Sequence, residues 1–142
     1  MAGKTKTFDP PTLPVTRRRL LRAVTVLAAM LAAVLVWILI VPVFGVDLVA
    51  STGDGTVRVT AFAVAGTALL AGAAGWALLA VLEHLTRSAL PAWTIVAVAV
   101  LVVSFAGPLA AGSAVATASL IVLHLVVGSV VVLGLRRSAR RW

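Results

Sequence analysis

Few side chains in this sequence can carry a proton or hold a ligand within the apolar stretches, and they occur at two places. The first is His124. It is the one ionisable residue in the run from Ser88 to Leu135, which otherwise contains no charge. Read as helix, it lies about 17 Å from the nearer basic flank, a depth at which an ionisable group is a functional-site candidate by default. Ser113, Thr117, His124 and Gly128 share one face of that helix, and Thr94, Ala97, Leu101 and Ser104 share one face of the segment before it. Ser104 comes out about 18 Å from the same membrane side. A hydrogen bond between Ser104 and His124 is therefore expected, with Gly72 of a third segment leaving room for the ring. His124, Ser104, Thr117 and Gly72 together make a candidate intramembrane polar site. Two roles fit it. His124 is a neutral imidazole that joins two helices, a bond worth on average about 0.6 kcal/mol, or it is part of a proton relay or ligand site.

The second place is Glu83-His84-Leu85-Thr86-Arg87-Ser88. Glu83 and Arg87 stand four apart, so on a continued helix they form a surface salt bridge at the membrane interface, with His84 beside them. The main role expected of this acid/base group is to cap a helix end. A small multidrug exporter would need a carboxylate inside its first span, and this sequence has none there. Haem held by the two histidines is unfavourable, because His84 and His124 differ in depth by about 15 Å. There is no metal-binding His-Glu pattern, catalytic triad or glycine-rich phosphate loop. Asp47 and Asp54 are too few for calcium, and without cysteine there is no disulfide or thiolate chemistry. No enzymatic activity, cofactor or metal is expected.

These residues are positioned by apolar helices. Of 142 residues 62% are hydrophobic and 11% charged, against about 25% charged in ordinary soluble chains. The net charge of +8 would suit nucleic acid in a soluble protein, but its placement excludes that. Lys4, Lys6, Arg17, Arg18, Arg19 and Arg22 precede the first apolar run, and Arg136, Arg137, Arg140 and Arg141 follow the last. Basic flanks of this kind set topology and contact anionic lipid.

The pattern predicts an all-α membrane protein, a four-transmembrane-helix bundle with spans at about 21–44, 60–83, 91–108 and 114–136. A disordered tail, 1–16, precedes the transmembrane domain, 17–138, and a basic tail, 139–142, follows it. The first run is too long for a signal peptide, and Pro42 helps to stop it. The loop between the first two spans reads as a small hairpin around Gly53-Asp54-Gly55. Ala61, Ala65, Ala68, Gly72 and Gly75 recur at spacings of four and three, a helix-packing seam of small residues. Gly107-Pro108 is expected to break the third span. Trp93 and Trp142 suit an interfacial belt, and Trp37 and Trp76 suit internal packing. All lysines and arginines but Arg58 fall on one side of the spans. Both termini are thus expected in the cytoplasm, the hairpin outside, and the protein in the cell membrane as a multi-pass chain.

Several segments resemble a known family. These are Gly75-Trp76-Ala77-Leu78-Leu79 leading to Leu82-Glu83, Trp93-Thr94, Ser104-Phe105-Ala106-Gly107-Pro108-Leu109 and Leu123-His124-Leu125-Val126-Val127-Gly128, with Gly45-Val46-Asp47-Leu48 after the first span. Over about residues 17–138 they are similar to an uncharacterised family of small actinobacterial membrane proteins, a domain of unknown function with four transmembrane helices. The resemblance implies that architecture and matches Glu83, Pro108 and His124 to the family pattern. It implies no activity. The sequence departs from the pattern at Val131-Val132-Leu133-Gly134-Leu135, where relatives are expected to carry proline. The expected function is that of a non-enzymatic integral membrane protein, a structural or accessory subunit of an unknown partner. The alternative is a small oligomeric transporter or channel using His124, and a membrane enzyme ranks third. The expected partners are the lipid bilayer, anionic lipid at the basic flanks, and a further copy or an unknown membrane subunit.

Overall fold

The computed structural model describes residues 15–52, 55–109, 111 and 113–139, with the side chains of Ser51 and Thr52 left aside. Helix α1 (Val15–Ile38) continues through a single π turn (Leu39–Val43). A two-stranded hairpin follows, β1 (Val49–Thr52) and β2 (Gly55–Arg58), then α2 (Ala61–Leu85), α3 (Ala89–Ser104), the short α4 (Ala106–Leu109) and α5 (Ala114–Ala139). Four helical segments are long and apolar enough to cross a membrane: Val15–Val43, Ala61–Leu85, Ala89–Leu109 and Ala114–Ala139. Val15 and Thr16, expected in a disordered tail, already lie in α1, while the rest of that tail falls outside the described residues.

Local chemistry explains the ends. Pro42 has no N–H to give to the carbonyl four residues back, and its ring crowds that carbonyl. The helix widens instead, so that the Phe44 N–H reaches the Leu39 carbonyl at 3.0 Å. Gly45, at φ +67°, then closes the helix in a conformation that costs a glycine little. The Thr60 side chain caps α2 by accepting from the Ala63 N–H at 3.2 Å, and Ser113 caps α5 by accepting from the Ala116 N–H at 3.2 Å. Gly107 and Pro108 do not break the third span as expected. The chain turns at Phe105, and Pro108 is buried within α4, whose first turn tolerates a missing N–H. The fourth helix runs straight through Val131–Leu135 to Ala139.

The hairpin pairs antiparallel with Val49 opposite Arg58 and Thr52 opposite Gly55. It is tied to the bundle at its base. Leu48 is buried, its carbonyl accepts from the Val59 N–H at 2.8 Å, and Trp37 of α1 donates its indole N–H to the Val59 carbonyl at 2.9 Å.

Around the bundle the order is α1, α2, α3, α5, so α1 packs against both α2 and α5. The core has two parts. Toward the end that carries the start of α1 and the end of α5 lie Ala29, Leu79, Trp93, Val131, Leu135 and Ala139; toward the hairpin lie Ala33, Leu48, Val64, Ala68, Leu120 and Leu123. Alanine and glycine at the helix contacts allow close backbone approach, which lipid-embedded helices need because hydrocarbon supplies little drive for association. A Cβ at Gly72 would meet Val26 of α1 at 3.1 Å, and Leu101 of α3 packs onto Gly128 of α5. Large apolar side chains such as Phe62, Leu70, Ile95 and Val103 face outward, which only hydrocarbon makes favourable on this scale.

Two expectations about packing are corrected. Within the seam, Ala68 and Gly72 are buried, but Ala61 and Ala65 are only half-buried, and the buried stripe of α2 is Val64, Ala68, Gly72 and Leu79. Gly75 faces Val131, Leu135 and Trp93 rather than α1. Trp93 is not an interfacial anchor. It is 0% exposed, and its indole N–H donates to the Gly75 carbonyl at 2.8 Å. The small side of α2 leaves a slot that the indole fills. Trp76 packs on the same core cluster, and Trp142 lies outside the described residues.

Candidate functional site

Two polar constellations stand out, one at the terminus end of the bundle and one within it. At the terminus end Arg22 of α1 is 4% exposed. It donates through Nη2 to Glu83 Oε1 of α2 at 2.5 Å and through Nε to Ser138 Oγ of α5 at 3.3 Å. The Ser138 hydroxyl donates in turn to the Leu135 carbonyl at 2.7 Å. Three helices are thus tied by one guanidinium. Arg22 comes inward because it continues the buried stripe of α1, Arg22, Val26, Ala29 and Ala33, at spacings of four and three.

This arrangement replaces the expected surface pair. Glu83 does not bridge to Arg87 or cap the helix end. α2 stops at Leu85, where the Thr86 N–H closes on the Leu82 carbonyl, and His84 and Arg87 are exposed while Glu83 turns inward. The short spacing to a like-sided arginine misled the sequence reading, because burying the acid required a buried cation and The signal was present: Arg22 is offset from Arg17-Arg18-Arg19 onto the apolar repeat of its own helix.

Within the bundle, α2, α3 and α5 surround a cavity of about 580 Å³ that also touches Ala33 of α1. It extends from Val59 and Ala63 near the hairpin to Leu78 and Val132 toward the other end. Ser104 and His124 both line it, but they do not bond to each other. Ser104 Oγ donates to the Leu101 carbonyl at 2.6 Å, and His124 Nδ1 lies 2.7 Å from the Leu120 carbonyl. Each side chain meets a carbonyl of its own helix, three or four residues back, the local bond always within reach of Ser, Thr and His on a helix. The other two members of the expected site are elsewhere. Gly72 makes room for Val26 and not for the imidazole, and Thr117 is half-buried outside the cavity lining. Phe105 flanks the imidazole, with ring centroids 6.2 Å apart and planes tilted by 53°. Thr67 also lines the cavity, a residue the sequence reading passed over.

A contact between an imidazole nitrogen and a carbonyl oxygen at 2.7 Å is a hydrogen bond only if that nitrogen carries the proton. The neutral ring is then the Nδ1–H tautomer, and Nε2 keeps a free lone pair. Among the described residues no group of three or more His, Cys, Asp or Glu side chains is placed to hold a metal ion.

Four membrane-length apolar helices, tied by a buried ion pair at one end, define a multi-pass helical membrane bundle. The chain belongs to the family of unknown function DUF6069, whose model matches residues 13–141. No curated protein and no solved structure matches the chain.

Proposed function

We propose that this protein is a non-enzymatic accessory subunit of the cell membrane, with both termini in the cytoplasm. One observation carries the reading: the polar side chains within the spans are satisfied locally. Thr25, Thr67, Thr94, Ser104 and His124 each bond to a carbonyl three or four residues back on the same helix. Trp93 is given to Gly75, and the one buried charge is neutralised by Glu83. No chain of polar groups leads from one end of the bundle to the other, as proton or ion conduction would need. The lipid-facing surface is wide enough to meet another subunit or a further copy. The test is reconstitution into liposomes with a pH-sensitive dye inside and an imposed potential. Proton and cation leak is expected to equal that of protein-free vesicles. A protein-dependent flux abolished by His124→Leu would replace this reading with the second one, a small oligomeric transporter, which His124 on the cavity wall favours.

A further inference from the structure

The cavity between α2, α3 and α5 has a chemical bias that its hydrogen bonds define. Four polar side chains line it: Thr67, Trp93, Ser104 and His124. Each has already committed a proton to the backbone. Thr67 donates to the Ala63 carbonyl at 2.7 Å, Trp93 to Gly75 at 2.8 Å, Ser104 to Leu101 at 2.6 Å and His124 Nδ1 to Leu120 at 2.7 Å. The main-chain N–H groups of the walls are held in the helix ladders. What remains is acceptors alone, the lone pairs of two hydroxyl oxygens and His124 Nε2. Among the described residues no buried side-chain nitrogen or oxygen lacks a partner, so Nε2 is not sealed in the protein and is open to an occupant. No carboxylate lines the space, so a cation finds no counter-charge there.

A volume of about 580 Å³ is typical of small-ligand sites, which are apolar with a few convergent polar groups. It has room for on the order of fifteen to twenty non-hydrogen atoms. In hydrocarbon a hydroxyl without an acceptor loses a full hydrogen bond, whereas an ether or ketone brought to an acceptor-only wall gains none. We propose that this cavity binds an uncharged, membrane-dissolved alcohol or phenol, with its O–H donated to His124 Nε2 and its apolar body along Ala71, Ala74, Val100 and Val127. The proposal holds for either reading of the protein's function.

The experiment uses the full chain in lipid nanodiscs with ¹⁵N-labelled histidine, His84 serving as the exposed reference, and titrates 4-nonylphenol against its methyl ether. The phenol is expected to shift the His124 Nε2 resonance saturably without moving His84. It is expected to bind about fivefold tighter than the ether, the ratio that one hydrogen bond of about 1 kcal/mol gives. In a folded His124→Phe variant, followed by tryptophan fluorescence for both compounds, that preference is expected to fall to about one. If the variant does not fold, the wild-type comparison of phenol with ether decides alone. Equal affinity for phenol and ether, or no saturable shift at His124, overturns the proposal and leaves a groove filled by lipid tails. A dimer in native mass spectrometry that the phenol does not perturb also overturns it, with a second copy as the occupant.

Discussion

Arg22 spends its guanidinium on two neighbours, and the two do not contribute alike. Glu83 neutralises the charge, while Ser138 orients the fork. Breaking a buried pair by removing one partner costs roughly 3–5 kcal/mol, whereas replacing both with apolar side chains of similar volume is often neutral. Glu83 keeps 16% exposure, so Glu83→Gln is expected near or below the low end of that range. Thermal unfolding in nanodiscs checks it: Arg22→Met and Glu83→Gln each lower the midpoint, and the double variant Arg22→Met/Glu83→Met recovers most of the loss. If the double variant loses the sum of the singles, the two residues are not coupled. At this scale the sequence was a partial guide. It singled out His124, Ser104 and Glu83 by type and depth, and all three occupy notable positions. It mispaired them, because depth and face say which residues can meet and not which acceptor is nearest. For Ser104 and His124 the nearest acceptor is a carbonyl one turn back on the same helix.

The elements were more legible. Four spans, the hairpin and the short turns follow from uncharged runs, a Gly-Asp-Gly turn and helix-stopping residues. The π turn was not, since Pro42 predicts an ending but not the widening that precedes it. Neither was the division of α2 between two neighbours. One small-residue repeat reads as one seam, yet Gly72 serves α1 and Gly75 serves α3 and α5. Two glycines of α2 separate these effects. A Cβ at Gly66 meets nothing within 4 Å, so Gly66→Ala is expected to be neutral or to stabilise by about 0.5–1 kcal/mol through helix propensity. Gly72→Ile, pressed against Val26, is expected to force α1 from α2 and to cost about 1–3 kcal/mol or more. Unfolding midpoints of the two variants in the same nanodiscs decide this. The hairpin gives another check at this scale. Trp37→Phe removes its indole bond to Val59, and faster amide exchange at Val57 and Val59 is expected with little change in the melting midpoint.

At the scale of the whole molecule, the start of α1 and the ends of α2 and α5 meet at Arg22, Glu83 and Ser138, so Val15 and Ala139 share one end and the hairpin lies at the other. Which end faces the cytoplasm rests on the arginine bias, and the cysteine-free sequence makes it measurable. In intact cells a membrane-impermeant maleimide is expected to label Arg58→Cys and to spare Thr16→Cys; the reverse pattern turns the molecule over. The long separations within the ion pair also bear on how the chain is made. Glu83 lies 61 residues after Arg22, and Ser138 lies 116 after it. During synthesis the guanidinium enters the rim of the bilayer well before its carboxylate exists, and its hydroxyl partner arrives only with the closing turn of the chain. A nascent or truncated product therefore carries an uncompensated charge that the finished one hides, which gives the cell a chemical distinction between an incomplete molecule and a complete one.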